Sequence, residues 1–218
     1  MALIGELLLV RHGEAHCNVA GLVGGERTCT GLTPYGREQV DRLAIRLRAL
    51  HQAGSPIDVL YASPRRRVRE TGELLADTLG LPLHVELGLE GPRHGTADGQ
   101  PWSAVKDAFG GPPAARPDRP YATGAEAWNA YLDRAIGFIR TLLDRHPEQR
   151  VLIAAHGETI QAAHLLLLGL PSPARTHVDF ATRHAGLTRW QLHRNRYGRT
   201  VWTLVAHNDT AHLADLQR

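Results

Sequence analysis

Apolar and polar positions follow two rhythms along this chain. ELLLVRH (6–12), IDVLYAS (57–63) and RVLIAAH (150–156) are near-continuous apolar runs, as strands buried on both faces of a parallel sheet require. LPLHVE (81–86), LTRWQLH (187–193) and TVWTLVA (200–206) are weaker strand candidates, and the last two can pair as a hairpin across RNRYGR at one edge. Between them the period lengthens to that of helices. Thr33 as N-cap, with Pro34 at the first helical position, starts a helix that carries Val40, Leu43, Ile45, Leu47 and Leu50 inward. A second runs from about Arg65 to Leu79, where Gly80 and Pro82 stop it. A third, from about Ala125 to Arg145, puts Trp128, Leu132, Ile136, Ile139 and Leu143 on one stripe, and a fourth, ETIQAAHLLLLG, follows His156 directly. Strands alternating with helices predict an α/β fold, a three-layer sandwich with a mostly parallel central sheet and helices on both faces.

At 218 residues the chain suits one substantial domain spanning 1–218 and is too short for two ordinary enzymatic ones. From 91 to 124 the composition shifts to Gly, Pro and Arg, with only WSAVKDAF (102–109) able to form a short helix. An insertion of that length is expected to be functional or disordered, and here it is expected over the active site.

The formal net charge of +3 fits an anionic small molecule and is too weak to imply nucleic acid. Arginine supplies nearly all the positive charge, since Lys106 is the only lysine. Cys17 and Cys29 are too few for a disulfide framework and lack zinc-site spacing, which points to a reducing, cytoplasmic setting. MALIGELLLV, interrupted by Gly5 and Glu6, does not read as a signal peptide, and no apolar run approaches a membrane span.

Two strong strands end in histidine followed by glycine: VRHGE (10–14) and AAHGE (154–158). Ligands of open parallel sheets bind beyond the carboxyl ends of the strands, so His12 and His156 are expected to face one crevice. The third strand runs into SPRRRVRET, which brings arginines and a helix N-terminus to the same edge. Histidines, arginines and free backbone N–H groups converging on one spot suit a phosphate.

The segments LLLVRHGEAHCN, LTPYGREQV, YASPRRRVRET, GAEAW and AAHGETI, in this order, resemble the histidine phosphatase superfamily, the phosphoglycerate mutase-like proteins with the RHG motif, over about Leu7 to Leu168. The resemblance implies His12 as the nucleophile, forming a phosphohistidine that water hydrolyses. It implies Arg11, Arg67 and His156 as grips on the phosphoryl oxygens, and Asn18 as a phosphate contact or a brace for the loop after His12. The proton donor to the leaving oxygen follows the third strand in this family, which implies Glu90, with Glu86 and Asp98 in reserve. The activity implied is a metal-independent phosphomonoesterase acting on a small phosphate ester, with no cofactor. A phosphoglycerate-type mutase is the alternative within the fold, and a non-catalytic phosphate-binding regulatory protein the alternative outside it.

Other readings weigh less. His12, His16, His156 and His184 lack the carboxylates or cysteines at defined spacing of a metal site, so no metal is expected. Arg65, Arg66, Arg67 and Arg69 lack interleaved aromatics, so one arginine is expected to grip phosphate while the others are exposed, with no nucleic-acid partner. Cys17 reads as a small buried filler and Glu158 as a first-turn helix acid. Arg183 or His184 can reach a substrate or lie on the surface, and selectivity is expected in 91–124 and around 176–184. No membrane partner is expected, a homodimer is compatible with the sequence, and the substrate is not legible in it.

Overall fold

The strand that opens the chain, β1 (Ala2–Arg11), shows why the strongest apolar runs have no polar face. Successive side chains of a strand point to opposite sides, and here both sides are covered. Leu7 and Leu9 enter one apolar core with Tyr131, Leu132 and Ile139, while Leu8 and Val10 enter a second with Val40, Leu43 and Leu75. In the computed structural model, which describes residues 1–170 and 177–216, six strands form one sheet in the order β3-β2-β4-β1-β5-β6.

The strands are β1, β2 (Val59–Ala62), β3 (Leu83–Val85), β4 (Arg150–Ala155), β5 (Leu187–Arg194) and β6 (Thr200–Asp209). The first four in chain order run parallel, and β5 and β6 add an antiparallel hairpin at the β1 edge, as the sequence predicts. The helices are α1 (His16–Val19), α2 (Pro34–Gln52), α3 (Arg66–Leu79), α4 (Trp102–Phe109), α5 (Trp128–Arg145) and α6 (Gly157–Leu167). Residues of α2 and α3 pack on one face of the sheet and residues of α5 and α6 on the other, which makes the three layers.

Local chemistry sets the helix ends. The Thr33 side chain accepts the Gly36 N–H to cap α2, and Gly80, with φ of 68°, ends α3 in the left-handed conformation that glycine adopts without strain. The third predicted helix starts at Trp128, later than Ala125, because the Ala125 and Glu126 N–H groups bond to Ala122 and Arg93 in the preceding loop. One predicted core residue is corrected: Ile45 is 58% exposed. It lies two residues from both Leu43 and Leu47, and at about 100° per residue it faces away from the stripe they define.

The 91–124 segment is ordered. It carries α4 and packs Ala97, Val105, Trp102 and Tyr121 around Val23 in a small third core. Val23 donates to the Gln100 carbonyl and accepts from Gly99 N–H, so this segment is laced to the loop that follows α1. Residue 176, within the stretch expected to bear on selectivity, lies outside the described residues. Among the described residues no helix is long and apolar enough to cross a membrane.

Two expectations follow from the packing. Leu47, fully buried in the core under α2, should cost about 2–5 kcal/mol when replaced by alanine, against no more than about 0.5 kcal/mol for Ile45→Ala, read by urea denaturation. His164, fully buried on α6 and stacked on Phe180, is held down to about 4 by burial and then by His207. The unfolded chain takes up that proton from pH 6.5 downward and the folded chain does not until about 4, so acid favours unfolding through this window. The loss at this site amounts to roughly 3 kcal/mol, and His164→Leu should flatten the pH dependence of the denaturation midpoint.

Candidate active site

Strand pairing builds the site. β1 and β4 lie side by side with Arg11 opposite Ala155, so both chains leave the sheet together, and His12 N–H bonds to the Ala155 carbonyl at 3.0 Å. The rings of His12 and His156 meet edge to face, 5.7 Å between centroids. Each histidine is followed by a glycine because a neighbour stands where a side chain would go. A Cβ on Gly13 would lie 2.3 Å from the Gly36 carbonyl oxygen, and one on Gly157 2.7 Å from Thr182 Oγ1.

β2 ends at Ala62, and α3 begins three residues beyond Ser63, at Arg66. Arg67 in its first turn reaches between the two histidines: Nε donates to His12 Nε2 at 3.0 Å and Nη2 meets His156 Nδ1 at 3.2 Å. Its Nη1 donates to the Gly24 carbonyl at 2.7 Å. These bonds assign the tautomers. His12 Nδ1 faces the Gly13 carbonyl at 2.7 Å and must carry the hydrogen, which leaves the Nε2 lone pair to accept from Arg67 Nε. His156 Nδ1 faces a guanidinium and must accept, so its Nε2 donates to Ser63 Oγ at 3.1 Å. Burial first, then the Arg67 charge, holds both imidazoles well below the usual histidine range, so both are neutral at physiological pH.

Arg11 and Arg65 flank this centre. Arg11 Nη1 donates to the Thr182 carbonyl at 2.6 Å, and burial lowers its pKa against the opposing charge of Glu158, which stands in the first turn of α6 as expected. The Nε groups of Arg11 and Arg65 are buried without a hydrogen-bond partner among the described residues. Buried donors without acceptors beside two neutral histidines and an arginine suit an incoming anion.

The candidate acids separate clearly. Glu90 accepts from Arg65 Nη2 at 2.8 Å, and the adjacent Gly91 lies against the His156 ring. Glu86 pairs with Arg145, the last residue of α5. Asp98 accepts the Gly25 and Arg27 N–H groups and holds the loop after α1 in shape. Glu90 and Arg65 line a cavity of about 410 Å³, and Arg11 and His184 line another of about 570 Å³. Asn18 accepts the Ala15 N–H at 3.2 Å and so braces the loop after His12.

The expectation that only one of the clustered arginines is buried is corrected at Arg65. Arg66 and Arg69 are solvated and pair with Glu70 and Glu73, but Arg65 is as buried as Arg67 and turns inward to Glu90. Four further residues adjoin the centre, among them His184, which the sequence leaves open as a substrate contact or a surface residue. Ser63 orients His156, the His184 ring lies 5.6 Å from that of His12, and both cysteine sulfurs approach Arg67 Nη1, Cys29 at 3.4 Å and Cys17 at 4.0 Å. No group of three or more His, Cys, Asp or Glu side chains suited to a metal ion occurs among the described residues.

A family model described as the histidine phosphatase superfamily (branch 1) matches residues 7–210. The chain is 31% identical to a putative phosphoserine phosphatase 2 of Hydrogenobacter thermophilus, over 96% of this chain and 98% of that one. It is 28% identical to a metal-independent phosphoserine phosphatase of Arabidopsis thaliana, over 74% of this chain and 68% of that one. The fold matches that of a mycobacterial glucosyl-3-phosphoglycerate phosphatase with a TM-score of 0.76 at 24% identity, covering 95% and 99% of the two chains.

The contact behind Gly13 gives a direct test. Gly13→Ala should lose at least about 2 kcal/mol by urea denaturation, because the opposing atom is backbone and cannot rotate away. Gly137→Ala, inside α5 with open space around it, should instead gain about 0.5–1 kcal/mol.

Proposed function

The chain belongs to branch 1 of the histidine phosphatase superfamily, and from that premise we propose that it is a metal-independent phosphomonoesterase working through a phosphohistidine at His12. The observation that carries the proposal is the seat of Arg67 between His12 Nε2 and His156 Nδ1, with the Gly13 carbonyl fixing the proton on the far nitrogen of His12. A neutral imidazole with its lone pair aimed at a guanidinium is a nucleophile facing the place where a phosphoryl group is gripped.

A phosphate ester enters with its oxygens on Arg11, Arg67 and His156 and displaces the Arg67 Nε bond from His12. Nε2 attacks phosphorus in line, and the ester P–O bond breaks. Arg11 and Arg67 offset the charge spread over the phosphoryl oxygens in the transition state. Glu90 gives the leaving oxygen its proton and takes one back from the water that attacks the phosphohistidine, which restores His12. Asn18 keeps the loop after His12 in place, and the residues from 1 to 218 act as one domain with the 91–124 segment over the site as its selector. The substrate is a small phosphorylated metabolite. The free thiols of Cys17 and Cys29 suit the reducing cytoplasm.

Phosphate release from a panel of phosphorylated metabolites, with excess chelator, tests the proposal. Wild-type turnover should survive the chelator, and His12→Ala should lower it at least about a thousandfold. Glu90→Gln should cost about 10²–10⁴ in kcat on substrates with poor leaving groups, while Glu86→Gln stays within about twofold. Turnover that persists in His12→Ala overturns the phosphohistidine route.

A further inference from the structure

The hydrolytic reading leaves one reactive pair unused. Cys17 on α1 and Cys29 in the loop before α2 are both buried, and their sulfurs face the same nitrogen, Arg67 Nη1. Each thiol also shifts the other's affinity for its proton. Buried position alone would make them inert filler; a shared place against the guanidinium that touches both histidines does not. We propose that Cys17 and Cys29 form a peroxide-sensitive dithiol whose disulfide disables Arg67 and thereby phosphoryl transfer. The coupling to turnover rests on the hydrolytic reading above, whereas formation of the disulfide does not.

The two sulfurs have different roles. Cys29 stands nearer the guanidinium, 3.4 Å from Arg67 Nη1 against 4.0 Å for Cys17; the neighbouring thiol and then that charge pull Cys29 down towards the thiolate, while its own neighbour and burial hold the Cys17 thiol up. Cys29 is therefore the attacking sulfur and Cys17 the resolving one. Cys29 lies between Thr28 and Thr30, both exposed, so only a shallow opening of the loop admits a small oxidant.

With hydrogen peroxide the chemistry closes. The Cys29 thiolate attacks one peroxide oxygen, the O–O bond breaks, and the departing hydroxide takes a proton to become water. Cys17 then attacks the Cys29 sulfenic sulfur, expelling the second oxygen, which leaves as water with the Cys17 proton. Two electrons pass from the two thiols to one peroxide, and one S–S bond forms.

The consequence for Arg67 follows from Gly24. Its backbone sits so close to Cys17 that a Cβ would lie 2.3 Å from Sγ, and its carbonyl holds Arg67 Nη1 at 2.7 Å. A disulfide draws the sulfurs to about 2 Å, so Cys17 must leave its place against Gly24, and Arg67 loses the Cys29 sulfur as an acceptor. The guanidinium that touches both histidines is then held at Nη1 by the Gly24 carbonyl alone, in a loop whose packing against Cys17 has shifted.

The reduced full-length chain should be treated with hydrogen peroxide and followed by intact mass, peptide mapping, p-nitrophenyl phosphate turnover and calorimetric binding of inorganic phosphate. The expected result is loss of the mass of two hydrogens and linkage of the Cys17 and Cys29 peptides. Turnover and phosphate affinity should each fall about tenfold or more, and dithiothreitol should reverse all of these changes. In Cys17→Ser the Cys29 sulfenic acid should accumulate and be captured by dimedone, and in Cys29→Ser, with Cys29→Ala as a second variant should the first misfold by circular dichroism, neither product should form. Peroxide inactivation that persists without Cys29, or a disulfide that leaves turnover and phosphate binding unchanged, overturns the proposal. A reduced wild type that hydrolyses nothing defeats the hydrolytic reading alone, because the mass and phosphate-binding readouts still decide the dithiol.

Discussion

One buried guanidinium organises this protein. Arg67 spends Nε on His12, Nη2 on His156 and Nη1 on Gly24, so a single side chain joins the ends of β1 and β4, the start of α3 and the loop after α1. A cation so deeply buried is costly unless its hydrogen bonds are satisfied, and two of its partners here are neutral imidazoles that cannot offset its charge. That shortfall is also what makes the centre receptive to an anion. The same charge, with burial, keeps both histidines unprotonated, and so stability is given up locally where reactivity is gained.

The remainder of the fold serves to hold that geometry. Parallel β1 and β4 are locked in register by apolar cores on both faces, so the two histidines leave the sheet at the same level. Gly13 meets Gly36 at backbone distance, which fastens the loop after β1 to α2, while Thr33 caps that helix and donates to the Glu14 carboxylate. Arg67 and the Gly13 carbonyl then fix which nitrogen of each ring carries a proton. Pre-organisation of this kind spares the reacting groups from reorienting during the reaction.

Around this core the less regular segments set the surroundings. The 91–124 segment and the loop after α1 share a small apolar core of Val23, Ala97 and Val105, and Asp98 ties the loop down through its backbone N–H groups. Glu90 and Arg65 sit at the boundary between the histidine centre and the cavity beneath this segment. The cavity wall and the histidine centre are thus supplied by different parts of the molecule, one irregular and one regular.

The sequence by itself determined the α/β class, most of the strands and helices, and the meeting of His12, His156 and an arginine-bearing helix at one sheet edge. These are legible because strand and helix periods are local properties and because strand ends in a parallel sheet share one side. Only the tertiary structure decided that Arg65 turns inward, that Glu90 pairs with Arg65 while Glu86 pairs with Arg145 and Asp98 holds the loop after α1, and that Cys17 and Cys29 share Arg67. Each of these depends on contacts between residues far apart in the chain. Composition and periodicity carry the direction a side chain faces within its own element, and what it meets there is set by how the elements pack.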